Sequence, residues 1–131
     1  MARLKYLLDT HAFLWAATED PRLSNKAVRA IGSTPYDQLA IADVTLQEIG
    51  LLLESGRISF TGSPSAVLGS LLDHVTVLPI TLQIALIAPS LKLPHGDQFD
   101  RIITATAKAH SLTLITRDAN ITDSGIVPTL W

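Results

Sequence analysis

Leu4-Lys5-Tyr6-Leu7-Leu8-Asp9-Thr10-His11-Ala12-Phe13-Leu14-Trp15-Ala16-Ala17 is the stretch that decides the fold. Residues 4 to 8 read as a short buried strand, and Thr10 to Ala17 as the helix that follows, with Thr10 as a candidate N-cap. Asp9 stands between them, where the apolar run gives way to polar residues. A strand that turns directly into a helix is the opening of a parallel sheet, because parallel strands need helical crossovers.

The same grammar repeats outward from this point. Glu19-Asp20-Pro21 breaks the first helix, and Ser24 can cap a second one through Ile31, which Gly32 to Pro35 terminates. Gln38 to Asp43 forms a second apolar strand. Thr45-Leu46-Gln47-Glu48 has the spacing of a capping box and opens a helix that runs through Leu51-Leu52-Leu53 to Gly56. Gly62-Ser63-Pro64-Ser65 is a loop and helix start, leading to a helix near Leu72. Val75 to Leu78 is a third strand ended by Pro79, and Leu82 to Ala88 is a short helix before Pro89. After the Pro94-His95-Gly96 loop, Asp97 caps a helix to about His110, and Leu112 to Thr116 is the fourth strand. Val127 to Trp131 offers a final one. The order predicts a doubly wound α/β fold: a mainly parallel, twisted sheet of four to five strands with helices on both faces, in a single domain over residues 1–131.

Composition agrees with that architecture. Hydrophobic residues make up 47% of the 131 residues and aromatics 5%, so Leu, Ile, Val and Ala build a core suited to a sheet covered on both sides. The absence of cysteine excludes disulfides, thiolate metal sites and thiol nucleophiles, and fits a reducing compartment. The N-terminal apolar run is broken by Asp9 before a signal-peptide core could form, and Val75 to Leu93 is too interrupted by Pro79, Gln83, Pro89 and Lys92 to span a bilayer. A cytoplasmic protein without a membrane partner is expected. The net charge of −2 gives no global attraction for nucleic acid, so a nucleic-acid enzyme would need local basic groups and bound cations.

Acids carry the functional signal. Asp9, Glu48, Asp100 and Asp118 each stand near the start of a helix that follows a strand or its loop. Each alone has an ordinary explanation. Asp9, Asp97 and Asp118 could cap helices, Glu48 could complete its capping box, and Asp100 could be a first-turn acid favoured by the helix dipole. Jointly they should crowd one edge of the sheet, where open α/β folds place their ligands. Carboxylates so gathered repel one another unless a cation compensates. Mg2+ and Mn2+ prefer such oxygen ligands.

Leu7-Leu8-Asp9-Thr10-His11-Ala12-Phe13-Leu14-Trp15, Thr45-Leu46-Gln47-Glu48-Ile49, Leu93 through Ile103 and Leu114-Ile115-Thr116-Arg117-Asp118 resemble the successive motifs of PIN-domain ribonucleases, above all the VapC-type toxins of bacterial toxin-antitoxin modules. The likeness spans nearly the whole chain. It implies that Asp9, Glu48, Asp100 and Asp118 form the acidic, metal-binding catalytic set, with Asp97 as an accessory acid one helical turn before Asp100. It further implies a Mg2+- or Mn2+-dependent endoribonuclease leaving 5′-phosphate and 3′-hydroxyl ends, a small DNA-binding antitoxin partner whose tail blocks the acidic site, and a homodimer. Two departures stand out: Gln98 replaces a frequent proline, and Asp43 with Thr45 occupies a stretch that is often serine, leaving Asp43 as a rival ligand.

Neighbouring residues have weaker claims. Arg101 and Arg117 could touch substrate phosphates or pair with the acids they flank. His11 and His95 could contact RNA, though a metal mechanism needs neither, and Thr116 could orient a water. Phe13, Trp15 and the apolar helix after Asp100 read as core. The Leu- and Ile-rich segment from Ser65 to Leu93 reads first as core, and could also supply a dimer contact or a groove for a partner helix. Among rival readings, a receiver domain would need paired acids after its first strand, and a dehalogenase-type phosphatase a second Asp where His11 stands. A PIN-like RNA-binding or scaffold module without activity is the principal alternative.

Overall fold

Strands and helices alternate in the order the sequence predicts. The computed structural model describes residues 3–94 and 97–131. In chain order these hold β1 (Tyr6–Leu8), α1 (Thr10–Ala17), α2 (Asn25–Gly32), β2 (Leu39–Ala42), α3 (Asp43–Glu54), α4 (Pro64–Leu71), β3 (Thr76–Leu78), α5 (Leu82–Ile87), α6 (Gln98–His110), β4 (Thr113–Ile115), α7 (Ala119–Ser124) and β5 (Thr129–Leu130). The strands form one five-stranded sheet in the order β3-β2-β1-β4-β5, with every neighbouring pair parallel. Tyr6 pairs with Leu39 on one side of β1, and Leu8 pairs with Ile115 on the other.

Alternating side chains divide the core in two. Leu7, Ala40, Ala42 and Leu114 point to the face covered by Ile103 and Ala107 of α6 and Ile121 of α7. Leu8, Ile41 and Ile115 point to the opposite face, against Ala12 and Phe13 of α1, Ala27 of α2 and Ile49 of α3. Each of these strand residues is essentially inaccessible, and full burial of one Leu or Ile contributes about 1.5–3 kcal/mol relative to exposure. A smaller cluster of Ile84, Ala88, Leu91 and Ala105 fastens α5 to α6.

Beyond β1 the chain builds outward to β2 and β3 on one side, then crosses to place β4 and β5 on the other. Connections therefore diverge at the carboxyl ends of β1 and β4, which opens a crevice there. The N–H of Asp9 still donates to the Ile115 carbonyl at 3.1 Å, so the ladder carries Asp9 to the lip of that crevice.

Local expectations are corrected at several places. Asp9, in extended conformation, is the N-cap of α1 and accepts from the Ala12 N–H at 2.8 Å; Thr10 is already helical and buried. The capping box at Thr45 does not form, because α3 begins at Asp43 and Thr45 is turned fully inward. Gly32 is the last residue of α2, and Ser33 follows as its C-cap. The strands are shorter at their ends than the apolar runs suggest. Ser24, Ser63, Thr81 and Asp97 cap the helices they precede.

Thr10 and Thr45 meet instead across the α1/α3 junction, their hydroxyls 3.1 Å apart and buried. A Thr45→Val variant keeps the shape but takes from the buried Thr10 hydroxyl one of its two partners, the other being Glu48, with an expected loss of about 1 kcal/mol. Urea unfolding should show that the Thr10→Val/Thr45→Val double variant costs less than the sum of the singles.

Candidate active site

The crevice at the sheet's carboxyl edge has a volume of about 360 Å3, and all five acids singled out from the sequence line it. Asp9 arrives from β1, Glu48 from the second turn of α3, Asp97 and Asp100 from the start of α6, and Asp118 from the turn after β4. Three of them also cap helices. Asp9 Oδ1 accepts from Ala12, Asp97 Oδ1 from Phe99, and Asp118 Oδ1 from both Asn120 and Ile121. Capping and site-building are thus compatible, since a carboxylate that spends one oxygen on a helix amide has the other to present. Thr116, fully buried, accepts from the Asp118 N–H at 3.0 Å and fixes the turn between β4 and α7.

Crowding these groups costs them their ordinary acidity. Asp100 is pushed up to about 7, first by burial, then by the charges of Asp97, Asp118, Glu48 and Asp9. Burial raises Glu48 as well, with Asp97 and Asp9 adding repulsion and the Thr10 hydroxyl and His11 offsetting part of it. Asp9 is raised by burial too, against the Thr116 hydroxyl, the Ala12 N–H and His11, which pull it down. Among the described residues no cation pairs with any of the five: the one ion pair joins Arg22 to Asp20 at 2.8 Å.

An all-carboxylate donor set with unneutralised charge has the chemistry of a hard divalent cation site. Among the described residues, no three acids or histidines are drawn together into a finished ligand cluster. The acids line the crevice without closing on one point, an openness compatible with a cation that retains several waters.

Other sequence candidates disperse. Asp43 turns away from the crevice and accepts from the Ile80 N–H at 3.0 Å, tying the end of β3 to α3. Arg101 neither faces the crevice nor pairs with an acid. Its guanidinium donates to the carbonyls of Ala88, Leu91 and Leu93, holding the segment between α5 and α6. His11 lines the crevice, as does Arg117, whose guanidinium lies 4.8 Å from the Trp15 ring rather than on a carboxylate. His95 lies outside the described residues.

Sequence reasoning missed the aromatic side. Trp15 is buried, as expected of core, yet it lines the crevice together with Arg22 and Trp131. The signal available was the i, i+4 spacing of His11 and Trp15, which puts both on one face of α1; their rings are 5.5 Å apart.

Comparison with known proteins places this geometry. The family profile for the PIN domain matches residues 6–125. Ribonuclease VapC22 of Mycobacterium tuberculosis is 36% identical over 118 residues, covering 88% of each chain. The structure superposes on FitAcB from Neisseria gonorrhoeae with a TM-score of 0.72 at 24% identity, over 96% of each chain. It also superposes on VapBC2 from Rickettsia felis bound to a promoter DNA fragment, with a TM-score of 0.70 at 16% identity over 97% of this chain and 98% of that one. A toxin-antitoxin complex from Klebsiella pneumoniae gives 0.69 at 24% identity over 97% of each chain. This chain belongs to the PIN domain family.

Raised carboxyl pKa values fix a sign for stability against pH. The folded state holds the Asp100 proton more tightly than the unfolded chain does, so its contribution is full in acid and is lost as pH rises from the usual carboxylate range through about 7. In EDTA the melting temperature should fall by a few degrees over that window. The fall should be shallower in Asp100→Asn; equal slopes would show that Asp100 does not carry the effect.

Proposed function

We propose that the protein is a metal-dependent endoribonuclease acting as the toxin of a type II toxin-antitoxin pair in the cytoplasm. The observation that carries this reading is the convergence of Asp9, Glu48, Asp97, Asp100 and Asp118 on one crevice with no cationic partner among the described residues. The similar VapC22 is itself named a ribonuclease, which supports RNA as the substrate.

Asp9, Glu48, Asp100 and Asp118, with Asp97 accessory, would hold one or two Mg2+ or Mn2+ ions. Such a cation supplies positive charge at the scissile phosphate and lowers the pKa of an attacking water. The chain's own residues set the conditions for this. Asp9 and Asp118 are held by helix amides, so their carboxylates are oriented before any ligand arrives. Near neutral pH Asp100 shares its site with a proton, which cation binding must displace. Affinity for the metal therefore rises as pH rises through 7.

Toxin-antitoxin complexes among proteins of the same fold support an antitoxin as the protein partner. In this reading a segment of that partner would cover the acidic crevice. Among the described residues no helix is long and apolar enough to cross a membrane. A homodimer is proposed through α5, whose Leu82 and Leu86 are 77% and 67% exposed, next to Ile80. Those side chains lie in the Leu- and Ile-rich segment from Ser65 to Leu93, for which a dimer contact is one of the readings beside core.

Cleavage of a mixed RNA pool by antitoxin-free protein, in Mg2+ or Mn2+ against EDTA, tests the activity. Cutting should require metal and vanish in Asp100→Asn while the circular dichroism spectrum stays unchanged. Cutting by that variant at the wild-type rate would refute the site. Millimolar Mg2+ or Mn2+ should also raise the melting temperature, more at pH 8 than at pH 6, because the cation binds the folded state alone and competes with a proton there.

A further inference from the structure

Positive charge at the crevice is organised around one indole. The guanidinium carbons of Arg22 and Arg117 each lie 4.8 Å from the centre of the Trp15 ring. Trp15 is itself only 6% exposed and is packed by His11 and Trp131, so it has no open face on which a base could stack. It serves instead as a platform for the two cations. Arg22 is fixed further by Asp20, which receives Nε at 3.0 Å and Nη2 at 2.8 Å. That pairing leaves Nη1 of Arg22 without a hydrogen bond among the described residues. Arg117 is exposed and forms no ion pair among them, although Asp118 is its chain neighbour. Two oriented guanidinium groups thus border a crevice whose remaining charges are negative.

A second groove adjoins the first, sharing His11, Trp15, Arg22, Glu48 and Asp97 with it. It extends past Arg57 to Phe60. From these observations, and resting on the ribonuclease reading above, we propose that Arg22 and Arg117, held on Trp15, bind the phosphates flanking the scissile bond of single-stranded RNA. The strand then continues through the adjoining groove along Arg57. The chain's net charge of −2 supplies no general attraction for RNA, so phosphate binding falls to the few arginines that border the acids. Planar guanidinium groups present several N–H donors to phosphate oxygens in a fixed fork, and prior stacking removes much of the freedom they would otherwise lose on binding. The grooves dictate substrate form as well: a single strand offers phosphates on a flexible backbone that can enter the crevice, unlike a stiff duplex.

The test measures binding of a short fluorescent single-stranded RNA to the full chain carrying Asp100→Asn, in Mg2+, as NaCl is varied. Cleavage by the same arginine variants in the Asp100 background is measured alongside. Arg22→Gln and Arg117→Gln should each reduce the slope of log affinity against log salt by about 0.7, the value for one phosphate contact on single-stranded nucleic acid. Arg117→Lys should keep the slope while binding more weakly, because it keeps the charge and loses the fork. Arg29→Gln, on the exposed face of α2 and lining neither groove, should change neither slope nor cleavage. All of these residues are exposed, and a melting curve verifies the fold of each variant. Wild-type cutting with unchanged slopes in both Gln variants would overturn the arginine assignment and leave the ribonuclease reading standing. A wild type that neither cuts nor binds RNA would overturn both.

Discussion

Electrostatic repulsion at the carboxyl end of the central strand is the constraint around which the rest of the molecule is arranged. Carboxylates from β1, α3, α6 and the β4–α7 turn share one partly dehydrated crevice, where burial first and their mutual repulsion second lift Asp100 to about 7. A cluster of that kind persists only if the scaffold beneath it is stiff enough to prevent the acids from moving apart. Stiffness comes from the sheet. Leu7, Leu8, Ile41, Leu114 and Ile115 are sealed on both faces, and β1 is paired along both edges. Stability lost in the crevice is thus offset by the fully buried strands that end at it.

Helix termini provide the second restraint. Asp9, Asp97 and Asp118 each bind backbone N–H groups at the start of a helix, where the partial positive charge of the terminus favours an anion. Reading these acids as caps and reading them as ligands were competing explanations in the sequence. The structure makes the two compatible, since each cap fixes the direction in which a carboxylate faces the crevice. Glu48 differs, lying in the second turn of α3, where no helix amide among the described residues holds it and the Thr10 hydroxyl is its hydrogen-bond partner.

Most of the architecture was legible because it rests on periodicity and punctuation. Apolar runs ending in an acid, Ser or Thr before helices, and Pro79 and Pro89 after short elements defined the order of strands and helices. Asp9, Glu48, Asp100 and Asp118 were legible as neighbours because the topology of a parallel sheet dictates where strand ends and the helices after them meet, whereas Asp97 read locally as a cap and joined them only through the family resemblance. What was hidden depended on tertiary direction. Thr45-Leu46-Gln47-Glu48 matches a capping box, but nothing local reveals that Ala42 is the last extended residue and that Thr45 turns inward to meet Thr10. Arg101 follows a crevice acid in sequence, yet one step along a helix rotates a side chain by about 100°, and it points to the α5–α6 segment instead. Trp15 was read as core, and it is buried. Its second role, as a platform for Arg22 and Arg117, arises from a residue beyond the end of its own helix and another in the turn after β4, which no periodicity connects.

That aromatic wall has a practical side. The chain contains two tryptophans, Trp15 and Trp131, and both line the acidic crevice with ring centres 5.9 Å apart. The whole of the protein's indole emission therefore originates within this one crevice. Carboxylates, an imidazole and two guanidinium groups surround the emitting rings, so a change in charge or hydration there alters the spectrum directly. The wild-type molecule carries its own optical gauge of the site, free of any attached dye.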